Sequence, residues 1–280
     1  HLQGCPGMFL DRREGLALAL PAVTFAFLLF LVPVGILLSE AFRPEGSWTL
    51  SGYTEFFSKP LNRAVFWRTL KLGILVAGTS AVIGYAAAFC IVNLEPKSRG
   101  RIFGLVVLPL MISPVARTYA WIVILGRTGI VNDTIVGLGL SDTPIRLLFT
   151  ETAVFIGLLQ LFLPLMIISL VSAMENIPRD VISAARVLGA NWLQVFFRVI
   201  LPLTKEGLVI GGTLVFTGAL TAYITPAILG GSKVLMLETL LYQRVNVAND
   251  FVSASVIAMI LIVMSFSANL LLKQIASVRR

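Results

Sequence analysis

Six stretches of mostly apolar residues recur along this chain, at 16–39, 66–92, 102–125, 150–173, 204–228 and 251–272. A helix of about 20 such residues crosses the hydrocarbon of a bilayer, since each residue advances it about 1.5 Å through a layer roughly 30 Å thick. Composition points the same way: 57% of the 280 residues are hydrophobic, 13% are charged, and mean hydropathy is +0.92. Soluble domains carry about 25% charged residues to cover their surface. In water this chain would expose large apolar patches, whereas in lipid its apolar surface is the solvated one. The expected fold class is therefore all-α, a polytopic membrane bundle of six transmembrane helices.

The fifth stretch is unusual in its small and hydroxylated residues, Gly207, Gly211, Gly212, Thr213, Thr217, Gly218 and Thr221. Small residues let helix backbones approach closely, which places this helix inside the bundle. Prolines 21, 33, 109, 114, 164 and 226 fall within or at the edges of spans, where neighbouring helices can satisfy the freed carbonyls. Pro226, followed by Ala-Ile-Leu-Gly-Gly, either breaks the fifth span near the outer surface or simply ends it.

The net charge of +8 could serve nucleic acid or membrane. Its basic residues are scattered through short loops with no basic stripe interleaved with aromatics, so anionic headgroups and the positive-inside bias account for it. Six spans put both termini on one side. With that side cytoplasmic, twelve of the 22 basic residues lie inside, nine lie outside and Arg117 lies within the third span. The short cluster Glu95-Pro-Lys-Ser-Arg-Gly-Arg101 weighs most, because short loops set topology. Both termini are expected in the cytoplasm.

Residues 1–7 precede Met8 and read as an upstream scar, leaving 8–280 as a single transmembrane domain. Cys5 and Cys90 are the two cysteines, and Cys90 lies in an apolar run, which argues against a structural disulfide. The one histidine is His1, so no catalytic triad or metal cluster can be built on imidazole. No Gly-x-x-x-x-Gly-Lys-Ser/Thr loop occurs, so phosphate chemistry is not expected here. No catalytic residue and no metal ligand is expected.

Residues 40–65 form an external loop with Trp48, Tyr53, Phe56 and Phe57, suited to an interfacial segment, and 126–149 form a second external loop. The cytoplasmic connection 174–203 carries most information. It reads Glu175-Asn-Ile-Pro-Arg-Asp-Val-Ile-Ser-Ala-Ala-Arg-Val-Leu-Gly-Ala-Asn-Trp-Leu-Gln-Val-Phe-Phe-Arg-Val-Ile-Leu-Pro202. Pro178 suits a first helical turn, and Asp180 suits its positive end. Val181, Ala184, Ala185 and Leu188 share a face by three- and four-residue spacing. Gly189 ends that helix, and a second one follows with Trp192, Val195, Phe196 and Val199 on one face. The connection is therefore a helix-turn-helix at the membrane surface, whose small residues allow another protein's groove to close over it. A plain amphipathic connector is the alternative.

Ser183-Ala184-Ala185, three residues, Gly189 and then Ile200-Leu201-Pro202 resemble the "EAA" loop of permease subunits of binding-protein-dependent ABC importers. The resemblance implies a type I importer permease fold in the bacterial inner membrane, in which the short helix is a coupling helix seated on a cytoplasmic ATPase. It assigns ATPase coupling to Asp180, Ser183, Ala184, Ala185, Arg186, Gly189 and Ala190. Ser183 departs from the pattern, which commonly has Glu there. Arg117-Thr-Tyr-Ala-Trp121 with Gly129-Ile-Val-Asn132, and Tyr223-Ile-Thr-Pro-Ala-Ile-Leu-Gly-Gly231 with Met236-Leu-Glu-Thr-Leu240, are similar to the spermidine/putrescine permeases. Iron(III), phosphonate and opine-type importers have similar sequences.

These motifs point to a permease half that moves a small polar solute, a polyamine foremost, by alternating access. Implied partners are a second, related permease subunit, two ATPase subunits that bind the ATP and magnesium, a periplasmic or surface binding protein, and membrane lipid. The chain itself holds no cofactor. Candidate pathway residues are Arg117, Tyr119, Trp121, Tyr223, Thr225 and Glu238. Aromatic faces and carboxylates suit a polyamine, and Glu40, Asp133, Glu151, Glu238 and Asp250 lie near the outer ends of spans. A buried Arg117 suits an anion, or ties helices together. An ion-coupled carrier would want internal repeats and intramembrane carboxylates, and a membrane enzyme would want polar catalytic residues within its spans. Neither pattern is evident.

Overall fold

The computed structural model describes residues 20–21, 23–43 and 48–277. The proposed scar at 1–7, Met8, Cys5, Arg12, Arg13, Arg279 and Arg280 lie outside the described residues. Every element among the described residues is helical: α1 Val23–Glu40, α2 Ser51–Ser58, α3 Pro60–Val92, α4 Pro96–Met111, α5 Pro114–Leu125, α6 Ile130–Gly137, α7 Glu151–Glu175, α8 Arg179–Val187, α9 Trp192–Leu203, α10 Lys205–Leu220, α11 Leu237–Asn246 and α12 Phe251–Ser277.

Local chemistry sets many of the starts. Prolines 60, 96 and 114 each occupy the first helical turn, where a missing N–H costs nothing and the ring presets φ. Thr150 caps α7 by accepting from Ala153 N at 3.2 Å, and Asp250 caps α12 by accepting from Ser253 N at 3.0 Å.

Among the described residues four helices are long and apolar enough to cross a membrane: α1, α3, α7 and α12 over Phe251–Gln274. Two bent pairs bring the total to six. The third span is thus not the single helix expected over 102–125. It breaks between α4 and the α5–α6 segment Pro114–Gly137 through 96°. Ile112 and Ser113 take extended ψ values of 137° and 131°; Ser113 does so because a residue before proline is pushed out of the helical region. The fifth span, expected over 204–228, bends by 62° between α9 and α10. It ends at Leu220, six residues before Pro226, which instead opens a separate π-helical turn, Pro226–Gly230. The second span starts at Pro60 rather than 66.

Helices α3, α7 and α10 pack around Leu72, Val76, Leu158, Met166, Leu170 and Val215. Glycines on α10 permit the contact, as expected. A Cβ on Gly207 would stand 2.4 Å from Ala173 Cβ, and one on Gly211 would stand 2.7 Å from Met166 Sδ. A second core joins α3, α10, α11 and α12 through Val65, Phe216, Leu237 and Ile257.

The two ends of the bundle are distinct. At one, α3, α7 and α11 begin together: Arg68 Nε donates to Glu151 Oε1 at 2.9 Å and its Nη1 to Leu235 O at 3.1 Å, while Lys71 also pairs with Glu151. At the other, α8 and α9 lie across the ends of α3 and α7.

Candidate coupling site and translocation pathway

The helix-turn-helix of 178–203 is built by two interlocking caps. Gly189 takes φ +82°, its N–H reaches Arg186 O at 2.9 Å, and Ala190 N–H reaches Ala185 O at 3.1 Å. This is a Schellman closure, whose left-handed residue favours glycine. Asn191 then opens α9 with a capping box: it accepts from Gln194 N at 2.8 Å, and Gln194 Oε1 accepts from Asn191 N at 2.9 Å. The turn therefore has one defined shape.

Asp180 sits in the first turn of α8, as the sequence indicates, with Pro178 at the cap position before it. Ser183, Ala184 and Arg186 are exposed, and Ala185 and Ala190 half-buried. Ile182 and Arg186 line a cavity of about 320 Å³ with Phe89, Met174, Trp192 and Val195. The face that carries Val181, Ala184 and Leu188 is turned outward. Leu188 is 86% exposed, its neighbour Val187 87%, and Val181 is exposed as well. Bare aliphatic side chains there mark a face without a partner among the described residues.

Behind this turn an aromatic ladder leads into the bundle. Trp192 stacks on Phe196 at 5.8 Å and meets Phe89 edge-on at 5.8 Å; Phe196 meets Tyr85 at 5.4 Å. Tyr85 Oη lies 2.7 Å from Thr204 Oγ1, at the 62° elbow where α9 becomes α10. Both residues are buried. Thr204 donates to Ile200 O at 2.9 Å and has a single hydrogen, so Tyr85 is the donor of the pair. The elbow is thereby tied to α3.

The six pathway candidates divide into groups. Arg117, in the first turn after the 96° break, has Nε and Nη1 buried with no hydrogen-bond partner among the described residues. Its neighbour Thr118 donates to Pro114 O at 2.7 Å and accepts from Thr225 at 3.3 Å, which joins α5 to the π-helical turn. Trp121 packs against the core formed by α3, α7 and α10, while Tyr119, on another face of α5, is 59% exposed. Tyr223 stacks on Tyr242 of α11, with centroids 4.3 Å apart and planes at 30°. Glu238 stands one turn before Tyr242, half-buried, and burial pushes its carboxyl up.

Two of the carboxylates considered for cation recruitment are already engaged. Glu151 is held by Arg68 and Lys71, and Asp250 caps α12 beside Arg244 at 3.9 Å. Tyr85, Thr204 and Tyr242 carry no motif in the sequence. The one local hint is Thr204 following Pro202, where a helix is free to bend.

Residues 80–277 match the family described as binding-protein-dependent transport system inner membrane components. The chain belongs to that family. Among curated relatives, the spermidine/putrescine transport system permease protein PotB of Haemophilus influenzae is 36% identical over 269 residues, covering 90% of this chain and 94% of that protein. PotB of Escherichia coli is 34% identical over 220 residues, 77% of this chain and 79% of that protein. A putative 2-aminoethylphosphonate transport system permease protein, PhnU of Salmonella choleraesuis, is 26% identical over 259 residues, 91% of this chain and 90% of that protein. Among solved structures, a bacterial alginate ABC transporter bound to its periplasmic protein has a chain that superposes with TM-score 0.80 at 19% identity, covering 95% of each chain. The MetNI methionine ABC transporter gives 0.54 at 19% identity, over 75% of this chain and 92% of that one. Both likenesses are of fold.

This permease is a transport subunit of an ABC importer and not an enzyme, and ATP hydrolysis belongs to a separate subunit.

Proposed function

We propose that this permease forms half of a polyamine pathway and that α8 with its Schellman turn docks on a cytoplasmic ATPase. The observation that carries the substrate is the likeness to spermidine/putrescine permeases over 90% of the chain. Six spans enclose too little for a pathway, so a second, related permease subunit completes it, with two ATPases below and a periplasmic binding protein above. Both termini lie in the cytoplasm in this reading, supported by the short basic cluster 95–101. Asp180, Ser183, Ala184, Ala185, Arg186, Gly189 and Ala190 present the docking surface, and the bare Val187 and Leu188 enter the ATPase cleft. ATP binding closes the ATPase dimer, draws the two coupling helices together and opens the bundle outward. Hydrolysis and release reverse this.

Arg117, with its two buried unpaired nitrogens, favours a second reading, an anionic substrate of the phosphonate kind. One experiment separates the two. The assembled transporter in proteoliposomes, with its binding protein and internal ATP, should accumulate labelled spermidine, and unlabelled 2-aminoethylphosphonate should not compete. Uptake abolished by the phosphonate, or no spermidine uptake at all, would overturn the polyamine reading.

A further inference from the structure

We infer that Glu238, Tyr242 and Tyr223 form a binding site for a protonated aliphatic amine on the wall of this permease, which rests on the polyamine reading above. The argument begins with α11. Glu238 and Tyr242 are four residues apart on this helix, so they share a face with Cβ atoms about 5–6 Å apart. Tyr242 is pinned by its stack on Tyr223 at 4.3 Å, which fixes an aromatic surface one helical turn from Glu238. Aromatic faces and a carboxylate within one turn are the two groups that recognise an ammonium.

The charge balance shows what is missing. Among the described residues Glu151, Asp250, Glu55 and Glu175 each have a basic partner. Glu238 has no ion pair among them and yet is half-buried, and its carboxyl is raised by desolvation alone. A cation bound there would repay that desolvation. The first turn of α11 favours the carboxylate through the helix dipole, but that effect does not require the tyrosine stack.

Position agrees. Leu235, three residues before Glu238, accepts from Arg68, and Leu237 N donates to Thr69 Oγ1 at 2.9 Å. Both bonds hold α11 at the end of the bundle opposite α8 and α9. Under the proposed orientation that is the outer end, where a binding protein releases its cargo. Tyr242 remains 42% exposed, so the site is open.

The test uses the assembled transporter in proteoliposomes with labelled spermidine. Glu238→Gln should raise the half-saturating concentration about tenfold, and Tyr242→Leu several-fold, with ATPase assembly intact. Glu238→Asp should recover part of the loss. On the unmodified complex, spermidine should protect Glu238 from a water-soluble carbodiimide, a readout that needs no variant to fold. Half-saturation within twofold of the parent for both variants, or carbodiimide labelling unaffected by spermidine, would overturn the site while leaving polyamine transport standing. Absence of spermidine uptake by the parent would overturn both.

Discussion

Removing the hydroxyl of Thr204 should cost more than removing that of Tyr85, although the two form one hydrogen bond at 2.7 Å. The asymmetry follows from which atom carries which proton. Thr204 spends its hydrogen on Ile200 O at 2.9 Å, so Tyr85 must donate. In Tyr85→Phe, Thr204 keeps that backbone bond and loses only an acceptance, for about 0.5–1 kcal/mol. In Thr204→Val the Tyr85 hydroxyl, on a side chain 8% exposed, is left without an acceptor, for about 1–3 kcal/mol. The double variant has no polar group to strand, so it should be no less stable than Thr204→Val alone. The resulting coupling should be about 0.6 kcal/mol and no more than about 1.7, the average and the maximum for polar contacts between membrane helices. Thermal unfolding of the purified permease complex, followed by tryptophan fluorescence, orders the three variants. Equal losses in the single variants, or additive losses in the double, would refute the assigned direction of the bond. Because the bond sits at the elbow between α9 and α10, Thr204→Val should also raise the ATP hydrolysed per solute imported.

Gly189→Val forces a β-branched residue into φ +82° where nothing lies within 4 Å of the new Cβ. It should cost about 1–2 kcal/mol and reshape the turn, so ATPase co-purification should fall while membrane insertion persists; unchanged co-purification and uptake would remove α8 from coupling. Gly207→Leu sets a Cβ 2.4 Å from Ala173 Cβ and 2.9 Å from Ser169 O. It should destabilise the α7–α10 contact by about 1–3 kcal/mol, whereas Gly104→Leu, with open space around it, should be near neutral in the same melt. Burial raises the Asp250 carboxyl, but hydrogen bonds from Ser253 and the charges of Arg244 and Lys59 outweigh it and hold it below the usual range. Its stabilisation is therefore complete above the unfolded value of about 3.9 and is lost as pH falls through the lower folded value. Asp250→Asn should flatten that acid limb of the stability profile, and an unchanged limb would place the sensitivity elsewhere.

Features that depend on neighbours in the chain were legible beforehand. Apolar runs of bilayer length marked the spans because backbone in lipid must satisfy its own hydrogen bonds. Alanine spacing, Gly189 and Pro202 marked the two short helices because caps and breaks are local events. The glycines of α10 foretold a close approach, although not that Ala173 and Ser169 would receive it. The break in the third span was half-written: Pro114 forbids helix at Ser113, but a proline alone does not say whether a helix kinks or turns through 96°.

Other features needed distant parts of the chain to meet. Sequence placed Glu151 near the outer end of a span, but its pairing with Arg68 and Lys71 came only with the packing of α3 on α7. Tyr85 read as an apolar-run residue until α10 brought Thr204 within 2.7 Å. Tyr242 had no signal until the chain beyond Leu220 folded back to stack Tyr223 on it. Period, composition and cap chemistry act within a few residues, so they settle which segments are helical and which of them enter lipid. Which charges are neutralised, which hydroxyls are paired and which half-buried carboxylate has no basic partner depend on contacts between residues 83 positions apart at Glu151 and 119 apart at Tyr85. Those were settled only when the helices packed.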